Sequence, residues 1–357
     1  MSDFPIVRAI HLNVFIEELR AIGAPVDRGL ERAGLPADIE VKPDAYLCVP
    51  RVLRFVEETA GAEGAMELGF LAAQRCTLDT LRPELQTAIL SAASGFGRLS
   101  AFRRLVGRED GALVCGVVQE GDAVRIWCDL AAFPTSPALA YSEWLQLQGM
   151  VSTIRDLAGP GWTPSEMTFI SRRPPSELAL ATYGNTRILV GQPHTSILVP
   201  IGVLACPCSG RLPPTEEWPE ADAPVWRFAE SLCAIVESYL GERTVDLSLA
   251  AELAGMSPRS LQRQLERDGL TWRELVDRAR YALACRLLVD DHLKIIDVAY
   301  SAGYENPQHF SRAFRRFSGL PPRAYRSQLR SAALGSASGP PPPFGPASTL
   351  ARDSACD

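Results

Sequence analysis

The sequence predicts two folded domains: an α+β N-terminal domain, and an all-α C-terminal domain with two helix-turn-helix motifs joined by a long helix. First, 357 residues are more than one hydrophobic core usually organises. Second, a proline-rich stretch at 206–224 separates two regions of regular apolar patterning. Third, an internal repeat follows that stretch. We therefore expect domains at 1–205 and 225–330, a linker at 206–224 and a disordered tail at 331–357.

The N-terminal region changes its apolar period along the chain. Its first hundred residues have the spacing of short helices, with Leu12, Phe15, Ile16 and Leu19 on one face. Two β-rich runs, 113–118 and 124–128, then flank a polar turn at 119–123, which is typical of a hairpin. A long helix is expected over 137–158, with further strands at 166–170 and 196–199.

Composition indicates a globular protein rather than a disordered or membrane-spanning one. Hydrophobic residues make up 46% of the chain and charged residues 22%. The first residues lack the apolar segment of a signal peptide. The uncharged apolar stretch Ile197–Cys206 is far shorter than the roughly 20 residues that cross a bilayer. We therefore expect a cytoplasmic protein with no membrane partner.

The charge is distributed unevenly. The net charge is −6, which taken alone disfavours a nucleic-acid partner. Residues 1–220 hold 19 Lys and Arg against 26 Asp and Glu, but residues 257–330 hold 14 against 8, a balance of +6. Residues 306–330 contain six arginines and no acidic residue. Such a segment either binds a polyanion or is an ordinary solvated face.

The nine cysteines do not have the spacing of a metal site or a disulfide framework. Only Cys206 and Cys208 are close in sequence, and none of the four histidines lies near them. We expect buried free thiols in a reducing compartment, and neither a metal nor a cofactor.

The repeat begins at Ala251 and again at Ala299, an offset of 48 residues. Each copy places a glycine four residues after the alanine, at Gly255 and Gly303, where a left-handed turn would end a first helix. An N-cap residue and a proline then begin a second helix in each copy: Ser257-Pro258 and Asn306-Pro307. This order is that of a helix-turn-helix. A helix over 272–289 would join the two copies.

The second helix of each copy has an apolar inner face and a polar outer one. Leu261 and Leu265 face inward in the first copy, and Phe310 and Phe314 in the second. The outer side chains are arginine, glutamine, serine and histidine. Arginine bonds bidentately to guanine and glutamine to adenine, so these faces suit a DNA major groove. Two ordinary helical hairpins with solvated arginines are the alternative interpretation.

Residues 225–330 resemble the DNA-binding domain of AraC/XylS-type transcription regulators. The likeness rests on His309-Phe-Ser-Arg-Ala-Phe-Arg-Arg316 and Gly319-Leu-Pro-Pro-Arg-Ala-Tyr-Arg326. It implies seven helices, with two recognition helices in successive major-groove turns of double-stranded DNA. By position it implies base reading by Arg259, Gln262, Arg263, Gln308, His309 and Arg312. It implies phosphate contacts by Arg267, Arg315, Arg316, Arg323 and Arg326.

The resemblance has one departure and one further implication. Pro307 stands where a base-reading polar side chain often sits, so that position offers no side-chain readout. The family likeness also implies an activator that touches RNA polymerase.

Residues 20–205 are similar to the arabinose-binding-like N-terminal domain of one branch of that family. The segments Tyr183–Ile188 and Gly191–Pro200 carry the likeness. It implies a small-molecule sensor and a dimerisation surface, with effector binding altering dimer geometry or freeing the C-terminal domain. Candidate effector-pocket residues are Tyr141, Trp144, Tyr183, Arg187 and His194, although core packing is the competing role for most of them.

Catalytic motifs are not evident. The sequence has no GxSxG, no Walker phosphate loop and no GxGxxG after a strand, so we do not expect an enzyme. Two alternatives involve Cys206 and Cys208: a thiol-based redox-sensing regulator, or a DNA-repair alkyl transferase, for which no histidine follows to activate the thiolate. A nonspecific architectural DNA binder is disfavoured because Lys42 and Lys294 are the only lysines.

Overall fold

A computed structural model describes residues 4–60, 65–130, 133, 136–206 and 226–334. The chain divides into two compact units, residues 1–231 and 232–357. Residues 207–224 of the predicted linker and 335–357 of the predicted tail lie outside the described residues.

The N-terminal unit is an α+β domain, as the sequence predicted. Its strands are β1 (Ile6–Arg8), β2 (Tyr46–Cys48), β3 (Leu113–Glu120), β4 (Ala123–Leu130), β5 (Glu166–Thr168), β6 (Arg187–Leu189) and β7 (Ser196–Pro200). Its helices are α1 (Ile10–Ala21), α2 (Val26–Ala33), α3 (Val49–Ala60), α4 (Ala65–Gln74), α5 (Pro83–Leu90), α6 (Gly95–Leu105), α7 (Leu139–Ala158), α8 (Glu177–Thr182) and α9 (Ile201–Leu204).

The larger sheet of this unit has the strand order β3-β4-β7-β5-β6. All of its neighbouring strands are antiparallel except β5 and β6. In β4, alternate residues are buried (Val124, Ile126, Cys128 and Leu130), so one face of the strand lies against the core. The predicted hairpin is therefore confirmed as β3 and β4, and strands are also present at 166–168 and 196–200.

The core of the unit is built around α7. This helix begins two residues after the predicted start at 137 and ends at the predicted residue, 158. Trp144, Leu147, Met150 and Ile154 are all essentially inaccessible to solvent. Burying large apolar side chains of this kind supplies most of the stabilisation of such a domain.

The cysteines differ from the expectation of free thiols. Cys115 and Cys128 form a disulfide between β3 and β4, with their Cα atoms 4.2 Å apart. The two residues are direct partners in the strand register, which brings their side chains to the same side of the ladder. The predicted free thiols are therefore wrong for this pair.

Helices are the only regular secondary structure in the described part of the C-terminal unit and in residues 226–231, which precede it. They are α10 (Phe228–Tyr239), α11 (Leu247–Leu253), α12 (Pro258–Arg267), α13 (Trp272–Leu287), α14 (Ile295–Ser301), α15 (Pro307–Ser318) and α16 (Pro322–Leu334). Over the described residues this gives the seven helices that the family resemblance implied.

Helix α16 corrects one predicted boundary. It continues to Leu334, so residues 331–334 are helical instead of belonging to a disordered tail. Alanine and leucine have high helix propensity, which favours extension of the helix through Ala332, Ala333 and Leu334.

Candidate nucleic-acid interface

The two turns of the repeat have the same backbone hydrogen bonds. The Met256 amide donates to the carbonyl of Ala251 at 2.9 Å, and the Tyr304 amide donates to the carbonyl of Ala299 at 3.0 Å. Gly255 and Gly303 both have a positive φ, 65° and 75° respectively. This left-handed conformation ends α11 and α14 at equivalent points, as the sequence predicted.

The second helix of each pair begins with a side-chain cap. The Ser257 hydroxyl accepts a hydrogen bond from the Ser260 amide at 3.2 Å, and the Asn306 side chain accepts one from the Gln308 amide at 2.7 Å. Pro258 and Pro307 occupy the first turn of α12 and α15. Since proline is favoured there, Pro307 initiates the helix rather than presenting a polar group to a base.

The inner faces of α12 and α15 are buried as expected. Leu261, Leu265, Phe310 and Phe314 are at most 2% exposed. Phe314 packs edge-on against Tyr325 of α16, with ring centroids 5.2 Å apart. The core of each pair thereby fixes which face of the second helix is presented to solvent.

The outer faces carry the predicted base-reading side chains. All six are exposed: Arg259, Gln262, Arg263, Gln308, His309 and Arg312. They lie in two sets, one on α12 and one on α15, each beginning at the capped N-terminal end of its helix. Exposed arginine and amide groups at this end of a helix are suited to contact base edges in a major groove.

Most of the predicted phosphate-binding arginines are also exposed. Arg267, Arg315, Arg316 and Arg323 lie on solvent-exposed parts of α12, α15 and α16. Arg316 forms an ion pair with Asp277 of α13, 2.8 Å between Nη2 and Oδ2, and remains 63% exposed. The Asp277 carboxylate thereby orients the exposed Arg316 guanidinium.

Arg326, the fifth predicted phosphate contact, is placed differently from these four. It is half-buried and donates from Nε to the carbonyl of Leu288 at 3.2 Å and from Nη1 to that of Leu293 at 2.6 Å. These carbonyls follow α13, so Arg326 joins α16 to the α13–α14 connection. Two of its donors, Nε and Nη1, therefore serve the fold, whereas its buried Nη2 has no hydrogen-bond partner among the described residues.

The five candidate effector residues do not form one pocket. Tyr141, Trp144 and Tyr183 are at most 2% exposed, and Trp144 stacks on Tyr183 with ring centroids 6.0 Å apart. By contrast, Arg187 and His194 are largely exposed, at 72% and 47%. The aromatic residues are core residues, because their rings fill the space between α7 and its neighbours.

The two exposed candidates make surface contacts. Arg187 lies 3.5 Å from the Glu166 carboxylate. The His194 Nδ1 lies 2.5 Å from Asp129 Oδ2, and its ring stacks on Trp127 with centroids 4.7 Å apart.

A different cavity in the N-terminal unit was not predicted. It has a volume of 110 Å³ and is lined mainly by apolar residues, which include residues of α3, α6 and α7. His11, Glu109, Asp110 and Gln146 are among the few polar residues on its wall. Its residues range from 7 to 149, and no local sequence pattern brings them together.

The acidic groups on this wall have shifted pKa values. Burial opposes the charge of Glu109, but its hydrogen bonds and its attraction to His11 and Arg8 hold its pKa at about 2. Burial raises the pKa of Asp110 to about 6. Despite burial, hydrogen bonds with Cys76 and Glu109 raise the pKa of His11 to about 9. At neutral pH His11 and Glu109 therefore form an ion pair.

Metal sites and membrane spans are both absent from the part of the chain that the structure describes. No group of three or more His, Cys, Asp and Glu side chains is arranged to hold a metal in the described ranges. No helix in the described part of the chain has the length and hydropathy of a membrane span. Cys206 is exposed, whereas Cys208 lies outside the described residues.

Comparison with known proteins agrees with the two-part architecture. Residues 250–328 match a family described as a helix-turn-helix domain. Residues 23–208, about half of the chain, match the family described as the arabinose-binding domain of AraC transcription regulator, N-terminal.

Among individual proteins, the regulator VirS of Mycobacterium tuberculosis is 26% identical over 337 residues, covering 90% of this chain and 96% of VirS. The transcriptional activator NphR of Rhodococcus is 35% identical over 94 residues, 26% of this chain and 28% of NphR. The structure of the regulator CdpR from Pseudomonas aeruginosa aligns with 85% of this chain and 96% of its own, at 19% identity and a TM-score of 0.36. The chain belongs to the AraC family of DNA-binding transcription regulators.

Proposed function

We propose that this protein is a sequence-specific regulator of transcription that reads operator DNA with α12 and α15 and responds to a small molecule bound in its N-terminal unit. One observation carries the proposal. The turns at Gly255 and Gly303 have the same backbone hydrogen bond and the same left-handed glycine, and each is followed by a helix whose exposed face is rich in arginine and glutamine. The balance of +6 over residues 257–330 favours a polyanionic partner for these faces.

Base reading is proposed for the six exposed residues of the two helices. Arg263 and Arg312 would bond to guanine, and Gln262 and Gln308 to adenine, since their donor and acceptor geometry fits those base edges. Such contacts supply specificity. Exposed Arg267, Arg315, Arg316 and Arg323 would bind phosphates and supply affinity that depends on salt.

Activation is the proposed direction of control, with RNA polymerase as a protein partner. The name of NphR, which matches over 94 residues, describes an activator. A homodimer is the proposed assembly, with effector binding altering its geometry or freeing the C-terminal unit. As a DNA-binding regulator, the protein would act in the cytoplasm.

The direct experiment is a gel-shift titration of the full chain on its selected operator and on a scrambled duplex of equal length. We expect tighter binding to the operator by about 10³-fold or more at physiological salt. Replacing Arg263 with alanine should weaken operator binding by about 1–3 kcal/mol and leave binding to scrambled DNA nearly unchanged. An affinity ratio near one in the unsubstituted protein would indicate an architectural binder and refute the proposal. Arg104→Ala, at an exposed arginine of α6, is the matched control.

A further inference from the structure

The cavity between α1, α3, α6 and α7 has the walls of a small-molecule site. Val52 and Leu53 of α3, Phe102 of α6 and Leu145 of α7 form part of its apolar surface. Pockets that bind small molecules are mostly apolar, with a few polar groups that fix the orientation of the ligand. The polar groups on this wall therefore define which ligand chemistry fits.

Gln146 is the polar group without a partner. It is only 8% exposed, and it lines the cavity from α7. Neither its amide nitrogen nor its amide oxygen has a hydrogen-bond partner in the part of the chain that the structure describes. Leaving both atoms unpaired in a buried position costs free energy that a ligand able to donate and accept would recover.

The ionisable groups on the wall already have hydrogen-bond partners within the protein. Glu109 accepts hydrogen bonds from Arg8 Nη1 at 2.6 Å and from the Arg82 amide at 2.7 Å, and its Oε2 lies 3.1 Å from His11 Nε2. Asp110 accepts from the Ala112 amide at 2.8 Å. Two carboxylates and one protonated histidine leave a net charge of −1 on the wall at neutral pH, so an anionic ligand would be repelled. A cation would find Glu109 already paired with Arg8 and His11.

The cavity volume limits the ligand to a small molecule. An engineered apolar cavity of about 150 Å³ is known to bind benzene, and this cavity has a comparable volume of 110 Å³. A pentose would suit it poorly, because most of its hydroxyl groups would face apolar walls without a partner.

We propose that this cavity binds a neutral, mostly apolar small molecule carrying one amide or hydroxyl group, which pairs with Gln146. The inference deepens the proposed function, since it assigns the chemical class and the site of the effector. It does not depend on the DNA-binding half of that proposal.

The test compares five probes on the full chain by ligand-observed NMR titration. Benzamide and benzyl alcohol are neutral and can donate and accept, toluene has no polar group, benzoate is an anion, and L-arabinose is polar throughout. We expect benzamide and benzyl alcohol to bind about tenfold more tightly than toluene, and benzoate and arabinose to bind most weakly. Tighter binding of toluene, benzoate or arabinose, or no binding of either neutral polar probe, overturns the proposal.

The second part of the test repeats the probe titrations on the variant Gln146→Leu. We expect this variant to reverse the order, so that toluene binds more tightly than benzamide, and to unfold at the same or a higher temperature because an unpaired amide is removed. An unchanged order overturns the assignment of Gln146.

Gln148→Leu is the matched control on the same helix. Gln148 accepts from the Tyr183 hydroxyl at 3.4 Å and donates to Ser152 at 3.3 Å, so its loss should lower stability without changing the order of the probes. Gel shifts on operator DNA, run on the same preparations, distinguish failure of this inference from failure of the proposed function. If operator binding is intact but the probes bind in the wrong order, only the inference about the cavity is refuted.

Discussion

Arg326 donates a hydrogen bond to the carbonyl oxygen of Leu293, with 2.6 Å between Nη1 and the oxygen. This contact ties the last helix to the segment that precedes the second helix-turn-helix. Arg323, three residues earlier on α16, is exposed and is available to DNA. We therefore expect these two arginines of one basic stretch to have different roles.

Alanine substitutions should separate these two roles. Arg326→Ala leaves the Leu288 and Leu293 carbonyls without this donor, so we expect the free energy of unfolding to fall by about 1–3 kcal/mol. Arg323→Ala should leave stability unchanged and reduce the salt dependence of DNA binding by about one phosphate contact. Urea unfolding and gel shifts at several salt concentrations measure both effects. A normal unfolding midpoint for Arg326→Ala would contradict the structural role.

Alanine at Gly255 and Gly303 tests the two turns. At Gly255 an added Cβ would meet no atom within 4 Å, so Gly255→Ala should cost only the conformational penalty of positive φ, about 1 kcal/mol. At Gly303 the added Cβ would lie 3.3 Å from Leu240 Cδ2, so we expect a larger loss. Thermal unfolding gives both values. Gly161→Ala, at an open position with ordinary φ, is the control, and equal losses at all three glycines would contradict the assignment.

Stability of the N-terminal unit should depend on the charge of His11. Its pKa is about 9 when folded and 6.5 in its ordinary state, so its contribution is full below pH 6.5 and is lost as the pH rises towards 9. We expect the free energy of unfolding to fall over this range by about 1–3 kcal/mol from this group. His11→Gln should flatten the dependence, which urea unfolding at pH 6 and pH 9 can measure. An equal slope in the variant would rule out His11 as its source.

Glu109, the acidic partner of His11, should make the stability depend on pH in the opposite direction. Because the pKa of Glu109 is lowered to about 2, its contribution is full above pH 4.5 and is lost as the pH falls towards 2. Glu109→Gln should reduce this acid sensitivity in the same unfolding assay.

The Cys115–Cys128 disulfide should stabilise the β3–β4 hairpin. It closes a short loop, with a sequence separation of 13, and reduction should lower the free energy of unfolding by about 2–3 kcal/mol. Urea unfolding with and without dithiothreitol measures the difference. The double variant Cys115→Ala, Cys128→Ala is the control and should not respond to the reductant. An equal loss of stability on adding dithiothreitol to that variant would show that the reductant does not act through the Cys115–Cys128 disulfide.

The sequence was most informative where structure is determined by neighbouring residues. The caps at Ser257 and Asn306 and the turns at Gly255 and Gly303 depend on residues within four positions, so their pattern predicted both helix-turn-helix motifs. The hairpin was also predicted, whereas the disulfide within it was not. A two-residue turn at Gly121-Asp122 pairs Cys115 with Cys128.

Features made by distant residues could not be predicted in this way. The cavity is lined by side chains from residues 7 to 149. The Gln146 amide on its wall is unpaired because no neighbouring group among the described residues is placed to form a hydrogen bond with it. Arg326 looks like its basic neighbours in sequence, and only the packing of α16 shows its carbonyl partners. The aromatic residues at 141, 144 and 183 were candidates for a pocket, but the same apolar chemistry also fills a core.

The central claim is that two helices each read part of one operator. In vitro selection from a random duplex library, performed with the unsubstituted protein and with Arg263→Ala and Arg312→Ala, measures this directly. The unsubstituted protein should select a motif of two parts about one helical turn apart, with Arg263→Ala relaxing one part and Arg312→Ala the other. A single-part motif, or relaxation of the same positions by both variants, would contradict it.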